Sequence, residues 1–142
     1  MAYPIRPMIK EDYPQVMALW QASEGVGLSQ DGADSYEGIA RYLARNPGCS
    51  FTVWDGEKLV GAALAGHDGR RGYLHHAAVH PDYRGKGIGR MLVNACLEAL
   101  QREGIQKSHL FVFRTNANAQ AFWAHLGWQE RTDLVLMSKT MK

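Results

Sequence analysis

Residues 73–104 read YLHHAAVHPDYRGKGIGRMLVNACLEALQREG, and the reading of the whole chain starts from them. Leu74 to Val79 is a short apolar run of strand character, stopped by His80-Pro81-Asp82. Arg84 to Arg90 is a basic, glycine-dense loop. Beyond it, Ile88, Met91, Leu92, Ala95, Cys96, Ala99 and Leu100 recur at the spacing of one buried helix face, and Gly104 supplies a C-terminal glycine. Strand, glycine loop and helix together form an anion site. The first helical turn leaves N–H groups without intrahelical partners, and the helix dipole adds about half a positive charge there. Glycines allow a pyrophosphate to approach those groups, and Arg84, Lys86 and Arg90 add charge.

Two familiar phosphate motifs fail on the residues. A nucleoside-triphosphate loop needs Ser or Thr after Gly-Lys, whereas Lys86 is followed by Gly87 and Ile88. A dinucleotide fingerprint needs a third glycine at position 90, which is Arg. A third pattern, Arg/Gln-x-x-Gly-x-Gly/Ala after a strand, fits as Arg84, Gly87 and Gly89. On it the chain resembles the GCN5-related N-acetyltransferase superfamily. A second motif supports the resemblance: Asn116, Ala119, Trp123, Gly127 and Trp128 in FRTNANAQAFWAHLGW match that family's late helix.

The rest of the chain reads in the same order as the family's fold. Ile5 to Met8 is a proline-bracketed edge strand, and Glu11 to Gln21 a helix with Pro14 in its first turn. Ser23 to Asp34 is a polar loop carrying Glu24, Asp31 and Asp34. A helix over residues 35–45 follows, ended by Asn46-Pro47-Gly48. Phe51 to Trp54 and Lys58 to Ala65 pair across Asp55-Gly56. Lys107 to Arg114 is β-prone, Asn116 to Leu126 helical, and 128–131 with 134–139 read as a terminal hairpin. This β-α-α-β-β-β-α-β-α-β-β order predicts an α/β fold: one mixed, mostly antiparallel sheet with helices on both faces, in a single domain over residues 1–142. Trp20, Tyr36, Trp54, Ala121 and Phe122 are expected in the core.

Composition sets outer limits. With 142 residues, 46% hydrophobic and 21% charged, the chain suits one globular domain. A net charge of +2 is too small for a general nucleic-acid or membrane binder. No apolar run suggests a signal peptide or a bilayer span. Cys49 and Cys96 lack metal-ligand spacing and read as reduced thiols, so a cytoplasmic protein without a metal is expected.

The resemblance implies acetyl-CoA as co-substrate and a primary amine, on a small molecule or peptide, as acceptor, attacked directly. A homodimer is an expected assembly, since family members often are dimers. The pantetheine arm would lie along the backbone of Ala77, Ala78 and Val79, as an added strand does. Its pyrophosphate would sit on N–H groups of Arg84, Gly85, Lys86, Gly87, Ile88, Gly89 and Arg90. Asn116 would meet the cofactor or a water near the thioester, and Trp123 would shape the tunnel.

Two departures redirect the chemistry. Many relatives protonate the leaving thiolate with a Tyr on the late helix, but position 123 is Trp, whose indole N–H is not an acid near neutral pH. Relatives that acetylate ribosomal-protein N-termini carry a Glu where this chain has Phe111. The central strand remains. Alternation puts Tyr73, His75, Ala77 and Val79 on one face and Leu74, His76 and Ala78 on the other. Relatives acting on arylalkylamines have a His pair at the positions of Tyr73 and His75. His75 is therefore expected to be the general base, with Tyr73 assisting or acting as acid. His80 reads as a strand-end cap, and His109 and His125 as packing or surface residues. The acidic loop could receive an amine or simply be solvated. A non-catalytic acyl-CoA-binding or regulatory module of the same fold is the alternative function.

Overall fold

The computed structural model describes residues 3–141, which divide into two compact units, one ending at Phe111 and the other beginning at Val112. The first unit holds β1 (Ile5–Pro7), α1 (Tyr13–Ala22), α2 (Tyr36–Arg45), β2 (Phe51–Asp55), β3 (Lys58–His67), β4 (Gly72–Val79), α3 (Ile88–Arg102) and β5 (Ser108–Leu110). The strands form one sheet in the order β1-β2-β3-β4-β5. All pairs are antiparallel except β4 and β5, which are parallel. Helix starts follow the sequence closely. Ser35 caps α2 by accepting from the Gly38 N–H at 3.1 Å. Pro14 occupies the first turn of α1, where its missing N–H costs nothing.

Two cores lie on opposite faces of the sheet. Val16, Leu19 and Trp20 of α1 and Ile39 of α2 pack with Ala62, Leu64 and Ala78. Across the sheet, Ile88 and Leu92 of α3 lie against Gly61, where an added Cβ would stand 3.0 Å from each. Leu92, Cys96 and Leu100 are essentially fully buried there. Trp20 and Trp54 are core, as expected. Tyr36 is not: it is 42% exposed, with its ring edge against Tyr13 at 5.6 Å.

Register within β4 departs from simple alternation. Leu64 faces His76 and Ala65 faces Leu74, so His75 is an extra residue, a β-bulge. Downstream of it His76 and Ala78 face α1 and α2, whereas Ala77 and Val79 face α3. Upstream, Tyr73 opposes Gly66, whose face meets Tyr42 and Asn46 of the α2 side. Tyr73, His75 and His76 therefore stand on one side of the sheet. This corrects the expected split, which put His76 opposite His75 and grouped Ala77 and Val79 with the latter.

The second unit is built on α4 (Ala117–His125). Asn116 caps it, accepting from the Ala119 N–H at 3.0 Å, and Gly127 ends it at φ +96°. Ala121 and Phe122, expected in the core, are exposed. The terminal hairpin is absent: 128–141 contain no regular strand, and the β-prone run 107–114 pairs only over Ser108–Leu110. A two-stranded hairpin gains little without a third strand or a packed face. Here Leu134 to Met137 are exposed, and Arg131 grips Asp133 within the would-be turn.

Candidate active site

The glycine loop is built for an anion. Gly87 is the N-cap of α3 at φ +80°, Gly85 lies at φ +77°, and a Cβ on either would meet no neighbouring atom. That backbone conformation strains any residue with a Cβ. No side chain caps α3, and Met91 is the residue whose N–H reaches back to the Gly87 carbonyl, at 3.0 Å. The N–H groups of Ile88, Gly89 and Arg90 are the first-turn donors left for a ligand. Ile88 contributes only its backbone, since its side chain is core. Arg84, Lys86 and Arg90 are exposed around the loop. A shallow depression of about 450 Å³ runs from Gly87 and Arg90 along α3.

The strand leading into this loop is open on one edge. β5 pairs only Gly72, Tyr73 and Leu74, so, among the described residues, 75–79 have no partner strand on that side. The expected pantetheine residues Ala77, Ala78 and Val79 lie in that segment. One of them is already engaged, because the Val79 carbonyl accepts from Arg84 Nε at 3.4 Å. His80 does cap the strand end: its Nδ1 accepts from the Asp82 N–H at 3.1 Å.

On the α1/α2 side of the same strand, the bulge gathers imidazoles and phenols. His75 stacks on Tyr73 at 6.0 Å and 14°, and Tyr73 stacks on Phe111 at 6.5 Å and 20°. His109 leans on Tyr73 at 5.9 Å, a packing role. The Tyr42 ring meets His75 edge-on at 5.4 Å. Burial pushes the Tyr42 hydroxyl up to about 12, so it stays protonated. His75 borders an open cavity, yet the protein around it desolvates its cation. That desolvation, with His76 adding repulsion and Asp34 opposing, holds its pKa below the usual 6.5.

His76 has a partner that sequence reasoning missed. Its Nε2–H donates to Asp34 Oδ1 at 2.9 Å, with the two side chains 11% and 9% exposed. Asp34 Oδ2 accepts from the Ser29 N–H at 2.6 Å, and its carbonyl accepts from the Tyr13 hydroxyl at 2.8 Å. The Trp20 ring sits 4.9 Å from the His76 ring. The acidic loop is thus tied down at its end rather than wholly solvated. The only foreshadowing in the sequence was the place of Asp34 at the end of the acidic loop. Asp34, Arg41, Tyr42, Arg45, His75 and His76 line one cavity of about 470 Å³.

In the second unit, the Asn116 carbonyl oxygen is spent on the α4 cap, leaving its amide N–H groups for other work. Trp123 packs edge-on between Phe122 at 5.1 Å and Trp128 at 5.4 Å. Among the described residues no cluster of three metal-ligating side chains occurs, and no helix is long and apolar enough to cross a membrane.

The chain as a whole is similar to known proteins. An acetyltransferase of Sodalis glossinidius is 28% identical over 137 residues, covering 96% of this chain and 94% of that one. Among solved structures, AAC(6')-Iy in complex with a bisubstrate analogue, CoA-S-monomethyl-acetylneamine, superposes with a TM-score of 0.77 at 20% identity. That match covers 99% of this chain and 100% of the other. The PaiA N-acetyltransferase of Thermoplasma acidophilum, in complex with coenzyme A, gives 0.75 at 19% identity, covering 91% of each chain. These likenesses establish the fold, and the model of the acetyltransferase (GNAT) family matches residues 13–128, from the first turn of α1 to the tryptophan beyond α4. The chain belongs to the acetyltransferase (GNAT) family of N-acetyltransferases.

Proposed function

We propose that the chain, acting as one domain over residues 1–142, transfers an acetyl group from acetyl-CoA to a primary amine of a small molecule or peptide. The observation that carries this reading is the uncapped, glycine-built start of α3 beside a β4 edge left without a partner strand. The first-turn N–H groups, with Arg84, Lys86 and Arg90, take the pyrophosphate, and the open backbone from Ala77 to Val79 takes the pantetheine arm. The Val79 carbonyl keeps one lone pair for that purpose. Assignment of Asn116 and Trp123 to the cofactor rests on the late-helix motif alone.

His75 is the proposed base. Because its pKa is lowered, it is neutral near pH 7 and can take a proton from the acceptor ammonium, directly or through water. The amine nitrogen then attacks the thioester carbonyl, a C–N bond forms, and the C–S bond breaks. The departing thiolate takes a proton from Tyr73, stacked on His75, and the phenolate recovers one from the nitrogen of the new amide.

Titration with acetyl-CoA by calorimetry, paired with thiol release across a broad amine panel, tests the reading. Tight binding with turnover on at least one amine supports it. Binding without turnover on any acceptor would favour a non-catalytic acyl-CoA module, which Trp123 and Phe111 at the family's usual acid and Glu positions motivate. Failure to bind acetyl-CoA would overturn both.

A further inference from the structure

The cavity beside His75 carries a charge pattern that restricts the acceptor, and the restriction rests on the acetyl-transfer reading above. Arg41 and Arg45 are one helical turn apart on α2 and both line the cavity. Both are exposed, and neither forms an ion pair with any described carboxylate. Asp34 is the single carboxylate in the lining, and each of its oxygens already accepts one hydrogen bond, from His76 and from the Ser29 N–H. The cavity thus offers two unpaired guanidinium forks, two imidazoles and a phenol against a single carboxylate that is already hydrogen-bonded.

We propose that the acceptor is a small amine bearing a carboxylate, in the manner of an amino acid, with the carboxylate held by Arg41 and Arg45 and the amine presented to His75. A guanidinium presents paired donors that match the two oxygens of a carboxylate, and two such forks on one helix face define a binding edge. A volume of about 470 Å³ suits a molecule of that size. The same charges serve the chemistry. Nearby cations disfavour the ammonium form of a bound amine and so raise the share of neutral nucleophile. A polycationic acceptor, by contrast, would meet two arginines and a single carboxylate already shared with His76 and the Ser29 N–H.

Matched pairs of acceptors test this. Thiol release from acetyl-CoA is followed with a panel of amino acids, the corresponding carboxamides, and a linear polyamine. The carboxamide keeps the amine and skeleton but loses the charge. The acid is expected to exceed its carboxamide in kcat/KM by about tenfold or more, equivalent to one good charge-assisted contact. In the Arg41→Gln/Arg45→Gln double variant that ratio should fall to about one. Equal turnover of acid and carboxamide, a preference for the polyamine, or a ratio untouched by the double variant would overturn the proposal. If neither member of a pair is acetylated, binding to the CoA-saturated protein decides. The N-acetylated acid should bind about tenfold tighter than its carboxamide, and equal or undetectable binding of both counts against it. Loss of acetyl-CoA binding itself would instead indict the underlying acetyl-transfer reading.

Discussion

His76 and Asp34 stand 42 residues apart in sequence and share a 2.9 Å hydrogen bond that joins the central strand to the end of the loop before α2. Both side chains are nearly buried, so cutting one partner strands the other in a poorly solvated place. Asp34→Ala should destabilise the fold by roughly 2–3 kcal/mol, since it also abandons the Ser29 N–H. His76→Gln, which can still donate, should cost about half as much. Urea melts at constant m would report this. An Asp34→Ala variant as stable as the parent would mean the pair contributes nothing.

At Gly87 the expected loss is in affinity more than in stability. Gly87→Val forces a β-branched residue to φ +80° and places a side chain over the first-turn donors. Acetyl-CoA affinity should drop at least about tenfold. Gly104 provides the control, because it too lies at positive φ, +87°, with open space around its Cα. Gly104→Ala should cost a similar ~1–2 kcal/mol of strain and leave acetyl-CoA binding intact. Calorimetry on both variants separates the loop's ligand role from generic backbone strain.

His75 makes a prediction about pH with a definite sign. Its native pKa is below the unfolded 6.5, so between the two values the unfolded chain binds more protons. Its contribution to stability is therefore complete above pH 6.5 and is lost as pH falls through the lowered native value. Replacing His75 by Phe should flatten that part of the stability profile. For activity, His75→Ala should depress the rate most below about pH 8, where little acceptor amine is deprotonated without help. A pH–rate curve of unchanged shape would remove His75 from the role of base.

The two thiols should be silent in the native protein. Cys96 is fully buried and its pKa is pushed up to about 12, and burial raises Cys49 as well. A disulfide reagent at pH 8 should label neither until denaturant is added, when both react. Rapid labelling of either in the native state would contradict the burial. The point has practical weight, since released CoA is counted through the same chemistry.

The sheet and its two helical layers were legible because their signals are local. The α3 stripe, the Asp55-Gly56 turn, the Asn46-Pro47-Gly48 stop after α2 and the Arg84–Gly89 loop each announce themselves within a few residues. What escaped depends on partners far away in the chain. Nothing near Asp34 points to position 76, and strand alternation argued against the contact by placing His76 on the other face. The same limit explains Tyr36, whose helical spacing looked buried, and the unformed hairpin over 128–139. Strand propensity says that a segment could pair, while pairing itself needs a neighbour. The arginines of α2 carry no motif, and only the fold brings them to the same cavity as His75.

The bulge in β4 makes the strand a sentence with a frame shift. Tyr73 and Leu74 are read in one phase and His76 to Val79 in the other, with His75 as the inserted letter. Two adjacent histidines can therefore share a cavity, which a regular strand forbids to neighbours. Removing residue 75 would delete the imidazole and the bulge together, and would leave Leu74 opposite Ala65 and Tyr73 opposite Gly66, on the faces they present now. Ironing the bulge out while keeping residue 75 would instead turn Tyr73 toward α3 and Leu74 toward the cavity. The bulge is thus what lets one more residue enter the strand without disturbing its neighbours' faces, and a point substitution at position 75 changes the chemistry while leaving the phase alone.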